Sequence, residues 1–247
     1  MDGLILAFGF LTVIPMPFLK PRAGGMGRAA MWFPVVGLVV GAILAGVGWG
    51  ANWLWHDRWI AAALVLMANL LLTGGLHLDG FMDTADAFFS HRDHERMLEI
   101  MRDSRSGALG VASGVVLLLT KFTAVSALLA HPSFLSLYYL ALTPLLGRTS
   151  IIFATRFPCA RDSGLGASFT AEVRSWQREL AILLTLVIVV AILRWHGVIL
   201  FVLSLLVALL SSFYWQRRLG GLTGDIYGAT NECVELVIFL TGAFLVR

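Results

Sequence analysis

Cysteine is almost missing from this chain of 247 residues: there are two, Cys159 and Cys233, with no CxxC pairing. That excludes a zinc framework on paired cysteines and a disulfide scaffold, and the fold has no need of an oxidising compartment. Charge is scarce as well. Charged residues make up 13% of the sequence, against roughly 25% in a soluble domain, which rules out the one or two soluble domains the length would allow. No low-complexity tract or soluble accessory domain is present. A basic leader is also missing, because Asp2 stands where a signal peptide carries Lys or Arg. The apolar stretch 4–14 is short and runs into Pro15 and Pro17. A retained segment that lies at the interface or re-enters the membrane is expected there.

What the chain has in abundance is apolar: 58% of its residues are hydrophobic. Seven runs are long enough to cross a bilayer core of about 30 Å: 30–55, 59–76, 108–130, 134–155, 180–195, 198–215 and 227–246. The fifth and sixth are short and meet at the tight Arg194-Trp195-His196-Gly197 turn. The expected fold is all-α, a polytopic integral membrane protein in one catalytic domain over 1–247. Basic residues set its orientation. One side carries Lys20, Arg22, Arg28, Arg92, Arg96, Arg102, Arg105, Arg156, Arg161, Arg174, Arg178, Arg217 and Arg218; the other carries Arg58, Arg194 and Arg247. The positive-inside rule puts the first group in the cytoplasm and the C-terminus outside. Between the second and third spans, 77–107 begins acidic and turns amphipathic, which predicts a short helix on the cytoplasmic interface. Ser90, three residues before Asp93, resembles its capping box.

Two constellations carry chemistry. In the stretch from His77 to Asp86, Asp79, Asp83 and Asp86 fall on one helical stripe. Three carboxylates so stacked repel one another, more so beside a membrane. A divalent cation would reverse the sign, and magnesium shared with substrate phosphates suits a site of few oxygen ligands. The plainer reading is a solvated acidic helix start favoured by the helix dipole. The second constellation runs from Gly220 to Glu232. Asp225 and Glu232 share a face, and Gly228 between them leaves room for a ligand; a loop before an ordinary span is the alternative. The two copies of Gly-Gly-Leu-x-x-Asp, ending at Asp79 and Asp225, with acids seven residues on at Asp86 and Glu232, suggest an internal pseudo-repeat (59–130 and 198–247). Chance likeness over so few residues is the competing account. Paired acidic faces around shared metal ions suit phosphoryl transfer. Arg102 and Arg105 flank Asp103 and match phosphate oxygens, although surface anchoring explains them nearly as well. Lys121 and Arg148 fall within spans, where snorkelling is the default. His77 is placed to support the acidic motif, and Gly164-Leu165-Gly166 to admit a close ligand.

At these motifs the sequence resembles the cobalamin synthase (adenosylcobinamide-GDP ribazoletransferase) family. The likeness is carried by Thr73-Gly74-Gly75-Leu76-His77-Leu78-Asp79-Gly80, by Asp83-Thr84-Ala85-Asp86 and by the stretch from Arg96 to Arg105. Gly220-Gly221-x-Thr223-Gly224-Asp225-x-x-Gly228-Ala229-x-x-Glu232, Pro15-Met16-Pro17 and Phe33-Pro34-Val35-Val36-Gly37 fit as well. Phe81-Met82 and Ala87 depart from the family's smaller residues and glycine. The resemblance implies a magnesium-dependent enzyme of the bacterial inner membrane that works on the cytoplasmic side. It would take adenosylcobinamide-GDP and α-ribazole, or its 5′-phosphate, and release GMP. Mg2+ would sit on Asp79, Asp83, Asp86, Asp225 and Glu232. Asp79, Asp83 and Asp225 are then catalytic, with Asp103 loosely cast as proton acceptor. His77, Arg102, Arg105, Lys121 and Arg148 would contact substrate. The lipid bilayer is a partner, nucleic acid is not, and self-association is compatible with the pattern. The rivals are a CDP-alcohol phosphatidyltransferase, a prenyltransferase with aspartate-rich motifs, and a divalent-cation transporter. The first expects Ala-Arg after its Asp-Gly pair, where Asp83-Thr84 stands, and the last expects carboxylates at the bilayer midplane.

Overall fold

The computed structural model describes residues 2–17, 25–103, 105–131, 133–161 and 165–246. Lys20, Arg22, Ser104, Gly164 and Arg247 lie outside them. The described residues form α1 (Asp2–Leu11), α2 (Gly25–Ala30), α3 (Phe33–Trp55), α4 (Arg58–Thr73), α5 (Leu76–Phe89) and α6 (His94–Ile100). The second half holds α7 (Ala108–Leu129), α8 (Phe134–Ala154), α9 (Leu165–Glu172), α10 (Ser175–Leu193), α11 (Trp195–Leu219) and α12 (Gly224–Leu245). Six of them, α3, α7, α8, α10, α11 and α12, are long and apolar enough to span, and α4 with α5 meets the same condition only as a bent pair. The chain is a polytopic all-α membrane protein. Leu71, Val116, Leu119, Leu183 and Leu210 stand outward on the bundle. Helices suit this setting because they satisfy every backbone group internally.

The centre is α8, most of whose residues are buried. It packs against α3, α10, α11 and α12. Its closest neighbour approaches through missing side chains: a methyl group on Gly37 would collide with the Pro144 carbonyl, and one on Gly41 with the Ala141 carbonyl. Small residues four apart let two membrane helices touch backbone to backbone, and dispersion across that contact holds them.

The second expected span is real but broken. Asp57 caps α4, its Oδ1 accepting from the Trp59 and Ile60 backbone N–H groups at 2.7 and 3.1 Å. At the other end Gly74 and Gly75 both take left-handed backbone (φ 61° and 73°), which glycine adopts without a Cβ penalty. The axis turns by 92° into α5. The short amphipathic helix expected within 77–107 is α6, and the acidic stretch before it lies on a separate helix, α5. The cap of α6 is Asp93, accepting from the Arg96 N–H at 3.0 Å, while Ser90 closes α5. The N-terminal segment is α1, ten residues long, about 15 Å at 1.5 Å per residue and too short to cross. It packs on α2 and α3, and beyond it the Val13 N–H reaches the Leu72 carbonyl at the end of α4 (2.9 Å). The fifth and sixth spans are longer than expected and join at Arg194, whose φ is positive (52°). Gly197 there lies too close to the Val189 carbonyl for any side chain.

Candidate active site

The site forms where α5 crosses α12. A Cβ on Gly80 would come within 2.8 Å of the Asp225 carbonyl, and one on Gly228 within 3.1 Å of the His77 carbonyl. Residue numbers rise along α5 as they fall along α12, so the helices cross antiparallel with their glycines in contact. Gly228, expected to clear space for a ligand, clears it first for the neighbouring backbone. The crossing puts Asp79 and Asp225, each in the first turn of its helix, on one cavity of about 260 Å³. Phe10, Phe33, His77, Cys159, Arg161 and Gly166 share its wall. Asp225 is aimed by its own N-cap. The Thr223 hydroxyl accepts from the Ile226 N–H at 3.3 Å and donates to Asp225 Oδ2 at 3.2 Å. The Gly-Gly copies diverge beyond their first glycine. Gly220 is left-handed like Gly74 (φ 70° and 61°). However, α11 and α12 then pack on each other as α4 and α5 do not.

Asp83 lies within electrostatic reach of Asp79, Asp225, Asp86 and Asp103. Asp86 has a different occupation. Its two oxygens accept from the Gly107 and Gly110 backbone N–H groups, both at 2.7 Å, so it caps α7, whose unpaired amides favour a negative charge. Cβ atoms on either glycine would strike that carboxylate.

Glu232 is separated from the aspartates and neutralised. Lys121 of α7 bonds Glu232 at 2.6 Å and Glu235 at 2.7 Å, and Arg148 of α8 pairs with Glu235. Asn231 Nδ2 donates to Glu235 Oε1 at 3.2 Å. All four charged side chains are buried, Lys121 and Arg148 to 1% exposure. Two cations and two carboxylates leave no net charge, which is how ionisable groups persist inside a membrane protein. This cluster takes up Lys121 and Arg148, expected to meet substrate, and Glu232, expected to hold metal. His77 touches both regions. It lines the cavity, and Arg148 Nη2 lies 3.4 Å from its Nδ1. Because guanidinium can only donate, Nδ1 is the accepting atom in that contact.

Arg102 is exposed, and Arg105 is turned to Asp103 by hydrogen bonds of 3.0 and 2.8 Å. Those bonds hold the Asp103 carboxyl down to about 2. Arg161 entered the sequence reading only as one of many basic loop residues. Here it lines the cavity, with Nη1 3.7 Å from Asp225 Oδ2. The only local signal for it is the Phe-Pro-Cys-Ala-Arg run, and the contact that places it lies some sixty residues further along.

Comparison with known proteins gives a consistent result. A family model described as Cobalamin-5-phosphate synthase matches residues 3–243. An adenosylcobinamide-GDP ribazoletransferase of Roseiflexus sp. (strain RS-1) is 40% identical, with 95% of this chain and 87% of that protein covered. The protein of the same description from Desulfitobacterium hafniense (strain Y51) is 41% identical over 99% and 97%. One from Brevibacillus brevis is 38% identical over 97% of each. No solved structure matches.

Proposed function

The chain belongs to the Cobalamin-5-phosphate synthase family, and on that premise we propose that it is an adenosylcobinamide-GDP ribazoletransferase of cobalamin synthesis, embedded in the bacterial cytoplasmic membrane. The hydroxyl of α-ribazole, or of its 5′-phosphate, attacks the cobinamide-linked phosphorus. A new P–O bond forms, the bond to GMP breaks, and the proton of the hydroxyl passes to solvent. One observation carries this reading beyond the family: two aspartates from separate helix starts meet on one cavity.

That pair fits magnesium. Among the described residues no three His, Cys, Asp or Glu side chains converge as a metal cage. Magnesium binds through one or two carboxylates when phosphates and water supply its other ligands, and Asp79 and Asp225 offer that number, with Asp83 behind them. Bound there with the diphosphate, the ion would supply neutralisation of charge on the phosphate oxygens and on the departing GMP. Asp79 and Asp225 would hold the ion, on two helices that pack through their glycines. The arginine-rich end of the bundle lies on the cytoplasmic side by the charge asymmetry, so a soluble nucleotide reaches the cavity without crossing the membrane.

The test is a product assay. Purified protein in lipid discs is given GDP-cobinamide, α-ribazole and magnesium, and GMP release is followed. GMP should require all three, stop with chelator and return with magnesium, with calcium a poor substitute. Full turnover after exhaustive chelation would remove the metal from this reading. Turnover of a prenyl diphosphate in place of GDP-cobinamide would remove the reading itself.

A further inference from the structure

The segment after α8 is tied to the start of α12 by a pair of backbone hydrogen bonds. The Leu222 N–H donates to the Pro158 carbonyl at 2.8 Å, and the Ala160 N–H donates to the Leu222 carbonyl at 2.9 Å. This single bridge needs Gly221, since a Cβ there would come 2.5 Å from the Cys159 backbone carbon. The second glycine of Gly220-Gly221 therefore serves to bring another segment of chain in, and the residue it delivers is Arg161.

Arg161 arrives with donors to spare. Its Nη2 donates to the Leu98 carbonyl of α6 at 3.1 Å. Its Nη1 stands 3.7 Å from Asp225 Oδ2, well beyond the 2.7–2.9 Å of a charge-assisted hydrogen bond. Its Nε is buried and has no hydrogen-bond partner among the described residues. Burying a donor without an acceptor is costly, and a guanidinium carries five. The Arg102 charge also acts on Arg161, and the cavity wall carries the Arg161 guanidinium together with two carboxylates. A ligand answering both carries a bound cation and oxyanions.

We propose that Arg161 is a substrate-contacting residue that grips the diphosphate of the nucleotide-linked substrate, while Asp79 and Asp225 face its cation. The assignment rests on the ribazoletransferase reading for the identity of the substrate, but not for the presence of a diphosphate. The Leu98 and Leu222 contacts fix the arm, so the guanidinium is positioned before the ligand comes. Replacing the loose Asp225 contact by phosphate oxygens satisfies Nη1.

Two measurements on the full-length protein in lipid discs separate the claims. Calorimetric titration with magnesium pyrophosphate reads the anion site without turnover, and KM against kcat with GDP-cobinamide reads the substrate. Arg161→Ala should weaken pyrophosphate binding at least fivefold and raise KM for GDP-cobinamide by a similar factor. Arg161→Lys, which keeps charge but loses the planar fork, should fall between it and wild type. Arg156→Ala is the control, because Arg156 pairs with Glu179 (2.6 Å) and should bind as wild type does. A folded Arg161→Ala protein that loses less than fivefold overturns the proposal, as does wild type that does not bind pyrophosphate. Should Arg161→Ala fail to fold, Arg161→Lys decides: binding equal to wild type overturns it. Wild type that binds pyrophosphate, loses that binding at least fivefold in Arg161→Ala and yet does not turn over GDP-cobinamide supports the Arg161 assignment and sinks the ribazoletransferase reading instead.

Discussion

Asp79→Asn and Asp225→Asn should each cut GMP release by roughly 10²-fold or more, since the charge stabilisation a metal supplies is worth several kcal/mol. The double variant should be no worse than either single one, as for groups acting as a unit. Membrane insertion and the thermal melt of each variant serve as the check that only chemistry was lost. Asp103 behaves otherwise. Its hydrogen bonds from Arg105 lower its carboxyl from the ordinary value of 3.8 to about 2. A group whose folded pKa is lowered stays ionised as pH falls, until the pH passes that lowered value. It therefore does not titrate between pH 5.5 and 9, and a base that weak accepts a proton poorly at neutral pH. Asp103→Asn should leave the shape of the kcat profile across that range unchanged; a missing limb would restore Asp103 as the proton acceptor. The four acids at 79, 86, 225 and 232 looked alike in sequence because helical spacing reports only which face a side chain is on. What distinguishes them is distant. Asp86 is claimed by amides 21 and 24 residues away, and Glu232 by a lysine 111 residues away. No local pattern encodes such partners.

Six of the seven expected spans were legible because lipid demands long apolar runs, and each has a helix of spanning length; the second is α4, 16 residues long, which meets that condition only together with α5. The bend was not, because Gly74-Gly75 reads equally as a helix end, a flexible joint or a repeat marker until both backbones are seen left-handed. Within α3 the glycines divide into two kinds. Gly41→Ala pushes a methyl group into the α8 backbone, whereas Gly46 faces open space. Overpacking costs about 1–3 kcal/mol, while alanine for glycine in an open helix position gains about 0.5–1 kcal/mol. A thermal melt in detergent should therefore fall for Gly41→Ala and hold or rise for Gly46→Ala. Equal shifts would mean the α3–α8 contact is looser than described. The charge cluster ties α7, α8 and α12 together in the same way. Lys121→Met leaves two buried carboxylates facing Arg148 alone, and breaking a buried pair costs about 3–5 kcal/mol. Adding Glu232→Gln should recover much of that loss in the same melt. No recovery would show that the lysine acts through packing alone.

For the molecule as a whole, orientation follows from charge counted along the chain and is open to direct test. Cysteines placed at Ser90 and Arg217, in protein lacking Cys159 and Cys233, should be labelled from one face of oriented vesicles, and those at Asp57 and His131 from the other. Labelling of 90 and 131 from the same face would undo the cytoplasmic placement of the cavity. The buried cluster has a further consequence, in the order in which the chain is made. Lys121 and Arg148 enter the bilayer on α7 and α8, but the carboxylates that neutralise them come on α12, more than eighty residues after Arg148. Until α12 follows, two cations wait in the membrane without their partners, each costly to leave there. That same helix brings Asp225 to the cavity of Asp79, so in this chain one helix both neutralises the buried cations and supplies half of the aspartate pair.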